Sequence, residues 1–193
     1  MAEPSSGSSP APPLSDAERE EMLDRMLTRL ALADDSKLEG LLSKILPYSI
    51  SALASPSPSV RKLVMEILSH LNKRVKHQLE IRLPLLELWK VYGEDSTPPI
   101  VRNFCIVYIE MAFDRLSSEE KANLAPEFMS NIGKLPLQHQ YIILRIVSKV
   151  IGECHSSRID ETIGDKYRMI ANDENGQALL ESRIFQLNRG SLL

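Results

Sequence analysis

A chain of 193 residues is long enough for one ordinary domain, with an apolar core that requires no metal or disulfide. Hydrophobic residues make up 43% and charged residues 25%, as in a soluble fold, while aromatics fall to 5% and only eight glycines occur, a balance that favours helices over strands. A net charge of −3 excludes an overall electrostatic footprint for nucleic acid or an anionic membrane, and the two cysteines, Cys105 and Cys154, stand in no metal-binding spacing, so both read as free thiols of a reducing compartment, the cytosol or nucleus.

Residues 1–14, rich in proline, serine and alanine, are too polar and too poor in bulky apolar groups to offset their ordering entropy and are predicted to be a disordered leader. They carry neither the basic stretch nor the apolar run of a signal peptide, and no segment of the chain has the roughly 18 apolar residues of a membrane span. Order is predicted to start at Ser15, where SDAE forms a capping box ahead of Leu23, Met26, Leu27 and Leu30 at one-face helical spacing. Asp34-Asp35-Ser36 opens a second helix with Leu38, Leu41, Leu42 and Ile45 on its apolar face, and Pro47 predicts a kink or break there. After the turn SPSPS, the stretch VRKLVMEILSHLNKRVK is the clearest helix: Val60, Leu63, Val64, Ile67, Leu68, Leu71 and Val75 share one face and charged residues occupy the other.

Pro84 is read as opening a short helix that Gly93 ends. Pro98-Pro99 leads into IVRNFCIVYIEMAF, apolar on more than one face and therefore predicted to be sandwiched between neighbours. SSEEKANLAPEFMSNIG supplies another capped start and the proline Pro126, and Pro136 precedes LQHQYIILRIVSKVIGE, again apolar on most sides. Beyond Ser156 the pattern weakens. The helices are read as pairs, 15–32 with 36–54, 58–77 with 84–92, 98–114 with 117–132, then 136–152, at roughly 40-residue spacing, the period of HEAT and armadillo repeats. The expected fold is all-α, a HEAT/armadillo-like solenoid of about three to four helix pairs over residues 15–155, with 156–193 a weakly ordered tail; an irregular helical bundle is the alternative.

Catalysis needs a nucleophile or acid–base pair and a group to aim it, and no such motif occurs; neither a phosphate loop nor a zinc spacing is present, so no enzyme, cofactor or metal is expected. His70, His77, His139 and His155 are scattered and read as surface or boundary residues. Contact is better supported by charge. Arg61, Lys62, Lys73, Arg74 and Lys76 share one helix with the single acid Glu66, whereas residues 15–40 carry eight acids and four bases. Those five cations are candidate partner contacts, a docking patch for an acidic surface, with a solvated helix face as the alternative; the patch lacks the interleaved aromatics of a nucleic-acid site. Trp89, the only tryptophan, is read as core, or as an interface anchor if exposed.

The order of Leu46-Pro47, Val60-Arg61-Lys62, Val64-Met65-Glu66, His70-Leu71-Asn72-Lys73-Arg74 and Leu83-Pro84 resembles the amino-terminal region of the large HEAT-repeat proteasome adaptor and scaffold family (Ecm-type). Asn103-Phe104, Ile106, Tyr108, Arg115-Leu116, Leu124-Ala125-Pro126 and Gln138-His139-Gln140 continue it, so that it spans about residues 15–170, and LRIVSKVIGECH is similar to plant members. The resemblance implies a non-catalytic adaptor that tethers the proteasome core particle to its regulatory particle, with subunits of both as partners, in cytoplasm and nucleus, and with neither specific nucleic acid nor homo-oligomer expected. A generic HEAT-like adaptor for transport or nucleic-acid-associated complexes is the alternative. Members of the family are far longer, and QALLESRIFQLNRGSLL departs from the continuation it would have, so a truncated product with a non-family tail is expected. The helix at 136–151 is then expected to lack cover on one side.

Overall fold

A computed structural model of the chain describes residues 14–130, 132–153 and 165. The expectations for the leader up to residue 13, for Cys154 and His155, and for the tail lie outside the described residues. Those described form seven α-helices, α1 (Asp16–Leu32), α2 (Asp35–Ala52), α3 (Pro58–Val75), α4 (Leu85–Gly93), α5 (Pro99–Asp114), α6 (Ser118–Met129) and α7 (Leu137–Glu153), with a short 3-10 turn, Ile132–Lys134, ahead of α7. No strand occurs among the described residues.

Local chemistry sets the helix starts. Ser15 accepts from the Glu18 N–H while its own N–H donates to the Glu18 carboxylate, and Ser117 and Glu120 repeat this box ahead of α6. Ser57 accepts from the Val60 N–H, with Pro58 first in α3. Two starts and stops differ from expectation. Pro84 stands just before α4 instead of inside it. Gly93 is the last residue of α4, without positive φ, and the helix ends because Glu94 turns extended.

Of the kink or break expected at Pro47, the break does not occur: α2 is helical from Asp35 to Ala52. A proline removes one backbone hydrogen bond and crowds the preceding turn. Here Leu42, Ile45, Leu46 and Ile50 lie buried on either side of it, so a break would uncover an apolar stripe, each leucine or isoleucine of which is worth about 1.5–3 kcal/mol. Ser51 Oγ donates to the Pro47 carbonyl at 2.8 Å in the turn that follows. α6 likewise contains Pro126 without interruption.

Packing corrects the pairing of helices. The most extensive contacts are α1 with α3, α4 with α5, and α6 with α7, so the helix at 58–77 does not pair with 84–92, nor 98–114 with 117–132. The apolar stripe of α4, Leu85, Leu88 and Tyr92, is buried against α5, and α2 bridges α1, α3, α4 and α5. α5 is sandwiched as its sequence requires: it meets α4, α7 and α2, and Val101, Cys105, Ile106, Tyr108, Ile109, Ala112 and Phe113 are all buried. The result is an all-helical stack of the described residues, consistent with an α-solenoid. In α7, Ile143, Leu144, Ile146, Val147 and Val150 are buried, so the expected lack of cover is confined, among the described residues, to Leu137 and Tyr141.

Candidate interaction surface

The five cations read from the sequence all lie on α3 or its end, but the structure divides them. The Nε–H of Arg61 donates to the Ser55 carbonyl at 2.9 Å. Lys62 stands 4.0 Å from Glu66, one turn on, and is largely exposed. Arg74 points inward to the ends of two other helices. It donates to the Leu30 carbonyl at 2.8 Å, in the last turn of α1, and pairs with the carboxylate of Asp35, the first residue of α2. That bond from Arg74, with a second from Gln78, holds the Asp35 carboxyl below its usual range. Arg74 is thus a structural tie. Lys73 and Lys76 are exposed and take part in no ion pair among the described residues; Arg61 is exposed too, but its side chain is held by the Ser55 carbonyl.

These two lysines border a groove between α3 and α5 of about 370 Å³, with Met65 and Ser69 on the α3 side and Phe104 on the α5 side. Its floor is fixed by Tyr108, whose hydroxyl donates to Asn72 Oδ1 at 3.0 Å and whose pKa burial pushes up to about 12. A second cleft, about 390 Å³, runs between the start of α4 and α6. Leu86, Leu116 and Leu124 line it, and an Arg82–Glu120 ion pair at 2.7 Å crosses it.

Sequence reasoning missed two polar groups. Arg115, at the end of α5, donates to the carbonyls of Val75, Gln78 and Ile81 at 2.9, 2.7 and 3.0 Å, closing the end of α3. His139 is not a surface or boundary residue: it is 5% exposed. Its Nδ1 lies 2.8 Å from the Tyr92 hydroxyl and its Nε2 3.0 Å from Asn103 Oδ1. The neutral ring with Nε2 protonated satisfies both, accepting from Tyr92 and donating to Asn103. Burial lowers the His139 pKa, and the nearby Arg102 charge lowers it further. The signal was present: His139, Ile143, Ile146 and Val150 follow the one-face spacing of a buried stripe.

Trp89 is half-buried, stacked on Tyr92 at 5.3 Å between ring centres and edge-on to Phe128 at 4.6 Å, so it joins α4 to α6. Cys105 is a free thiol, fully buried, with its pKa pushed up to about 12 by burial; it stays protonated at neutral pH. Among the described residues no group of three metal-ligating side chains converges, and no helix is long and apolar enough to cross a membrane.

The family model described as the amino-terminal region of the proteasome component Ecm29 matches residues 23–187. The chain belongs to the Ecm29 amino-terminal family. Among curated Ecm29 relatives, the human proteasome adapter and scaffold protein is 36% identical over 126 residues, 65% of this chain and 7% of that protein. The Drosophila melanogaster proteasome-associated homologue is 34% identical over 116 residues, 60% of this chain and 6% of its own length. The Saccharomyces cerevisiae proteasome component is 29% identical over 158 residues, 76% of this chain and 8% of its own length. The chain therefore spans less than about a tenth of the length of these Ecm29 relatives. No solved structure matches it.

Proposed function

We propose that this chain is a non-catalytic interaction scaffold that contacts the proteasome, acting in cytoplasm and nucleus as part of the apparatus that joins core particle to regulatory particle. The observation that carries this reading is the Ecm29 family match over residues 23–187, together with a human relative named as a proteasome adapter and scaffold. The build of the chain supports it. A stack of helix pairs presents a continuous outer surface with grooves between successive helices, the form in which repeat proteins make extended contacts. Its one described thiol is buried and protonated, and its one buried histidine is bonded on both ring nitrogens to structural partners. The contact face of the proposal is the outward side of α3, with Lys73 and Lys76, and Lys62 beside Glu66, as its exposed cations; Arg61 holds the loop ahead of α3 and Arg74 ties α3 to α1 and α2.

The test is binding of the purified chain to purified core and regulatory particles, separately and joined. Retention of either particle by the folded chain supports the scaffold reading. A folded chain that retains neither removes it.

A further inference from the structure

We infer that the groove between α3 and α5 is a docking site for an acidic, amphipathic peptide segment of a partner protein. Its apolar side chains would enter against Met65 and Phe104 and its carboxylates would meet Lys73 and Lys76. The inference rests on the scaffold reading and makes it specific.

Three observations support this occupant. The first is uncovered apolar surface in register. Ile100, Phe104, Val107 and Met111 follow one-face helical spacing on α5, and Ile100 and Val107 are 37% and 51% exposed. Across the groove Met65 is 50% exposed. Single exposed apolar residues are ordinary, but Met65 and the partly exposed Phe104 line one concavity.

The second is charge. Lys73 and Lys76 are exposed and in no ion pair among the described residues, while the nearby acids are engaged elsewhere. Glu66 stands by Lys62, Glu110 pairs with Arg145, Asp114 with Lys149, and Asp35 with Arg74. A lysine can lay its aliphatic stem along the apolar side of a bound segment and leave its ammonium at the rim. An apolar floor with a one-sign rim is what an acidic helix or strand with one greasy side complements.

The third is size and rigidity. About 370 Å³ admits a few side chains and excludes a folded domain, and the Tyr108–Asn72 bond holds the two helices at this spacing. Nucleic acid fits less well: of the two aromatics lining the groove, Tyr108 is 3% exposed, which leaves the partly buried Phe104 and no row of open rings on which successive bases could stack.

The test uses the full chain and a fluorescent helical peptide of about 15 residues, with leucines on one face and glutamates on the other. Companion peptides carry lysine for every glutamate, or the same residues in an order that scatters the leucines. The glutamate peptide is expected to bind saturably and at least about tenfold more tightly than either companion. Lys73→Glu with Lys76→Glu should weaken it by about tenfold or more, as should Met65→Asp, while Arg61→Ala leaves it within about twofold. All of these positions are exposed, and circular dichroism of each variant is the check that it folds.

No binding of the glutamate peptide, equal binding of the lysine peptide, or an unaffected double charge reversal overturns the proposal. So does a groove that takes only single-stranded RNA, or one occupied by a second copy of the chain, seen as a dimer by sedimentation that the double reversal dissolves. The proteasome-binding assay separates the two readings. A chain that retains proteasomes but ignores the peptide loses the groove alone; one that binds the peptide but no proteasome loses the adaptor role alone.

Discussion

The guanidinium of Arg115 donates to the backbone carbonyl of Val75 at 2.9 Å, across 40 residues of sequence. Arg74 does the same to Leu30 at 2.8 Å, across 44. In both cases an arginine near the end of one helix satisfies a carbonyl in the last turn of the helix two before it, where helix geometry leaves acceptors without donors. The device recurs at roughly the 40-residue period of a helical repeat. It is the clearest internal echo in the stack.

Arg115→Ala is expected to destabilise the chain by about 2–3 kcal/mol, since it strips three carbonyls of a charged donor. Arg115→Lys should recover only part of this, because an ammonium cannot fork among three acceptors as a guanidinium does. Arg74→Ala should also destabilise, whereas Lys73→Ala and Lys76→Ala stay within about 0.5 kcal/mol of the parent. Urea midpoints at constant m-value check the set. Equal effects for Arg74 and its lysine neighbours would refute the division of the basic face.

Acidification should loosen the α4–α5–α7 junction before the rest of the stack. The His139 pKa is lowered from its ordinary 6.5, so the unfolded chain takes up the proton first. The stability it confers is therefore complete above about pH 6.5 and is lost as pH falls through the lowered folded value. A protonated ring cannot accept the Tyr92 hydroxyl bond. The helix-start carboxylates, with Glu120 held at about 2 by its bonds to Ser117 and Arg82, lose their contribution only as pH falls below their ordinary 4.5. Melting temperatures between pH 7 and 5 should fall for the parent and lie flatter for His139→Gln. Parallel curves would contradict the assignment.

Gly40 sits inside α2 and, apart from its chain neighbours and the surrounding helix backbone, no atom lies within 4 Å of where a Cβ would stand. Gly40→Ala is expected to raise stability by about 0.5–1 kcal/mol through helix propensity alone. A loss, read by thermal or urea unfolding, would mean that the free space there is filled.

Much of this was legible in the residues because it is local. The α3 stripe, the Ser15–Glu18 and Ser117–Glu120 boxes and the two-faced α5 are periodicity and capping, which any short window of sequence carries. What was not legible depends on partners far along the chain. Pro47 signals a break, and only the burial of Leu42, Ile45, Leu46 and Ile50 against other helices shows why the helix continues. An amphipathic face does not say which neighbour it meets, so α4 was paired with α3 although its stripe packs on α5. Arg74 looked like one more surface cation because Leu30 and Asp35 lie some 40 residues away. His139 could have been placed in the core by its spacing to Ile143, but its bonds to Tyr92 and Asn103 could not.

The central claim is that this chain binds the proteasome through its helical surface. Its most direct test is quantitative affinity capture with purified, tagged chain and purified proteasomes, scoring core and regulatory subunits by mass spectrometry. The account predicts saturable enrichment of proteasome subunits by the parent chain, reduced by reversing Lys73 and Lys76 and unchanged by Gly40→Ala. Background-level recovery by a chain that circular dichroism shows to be fully helical would contradict it.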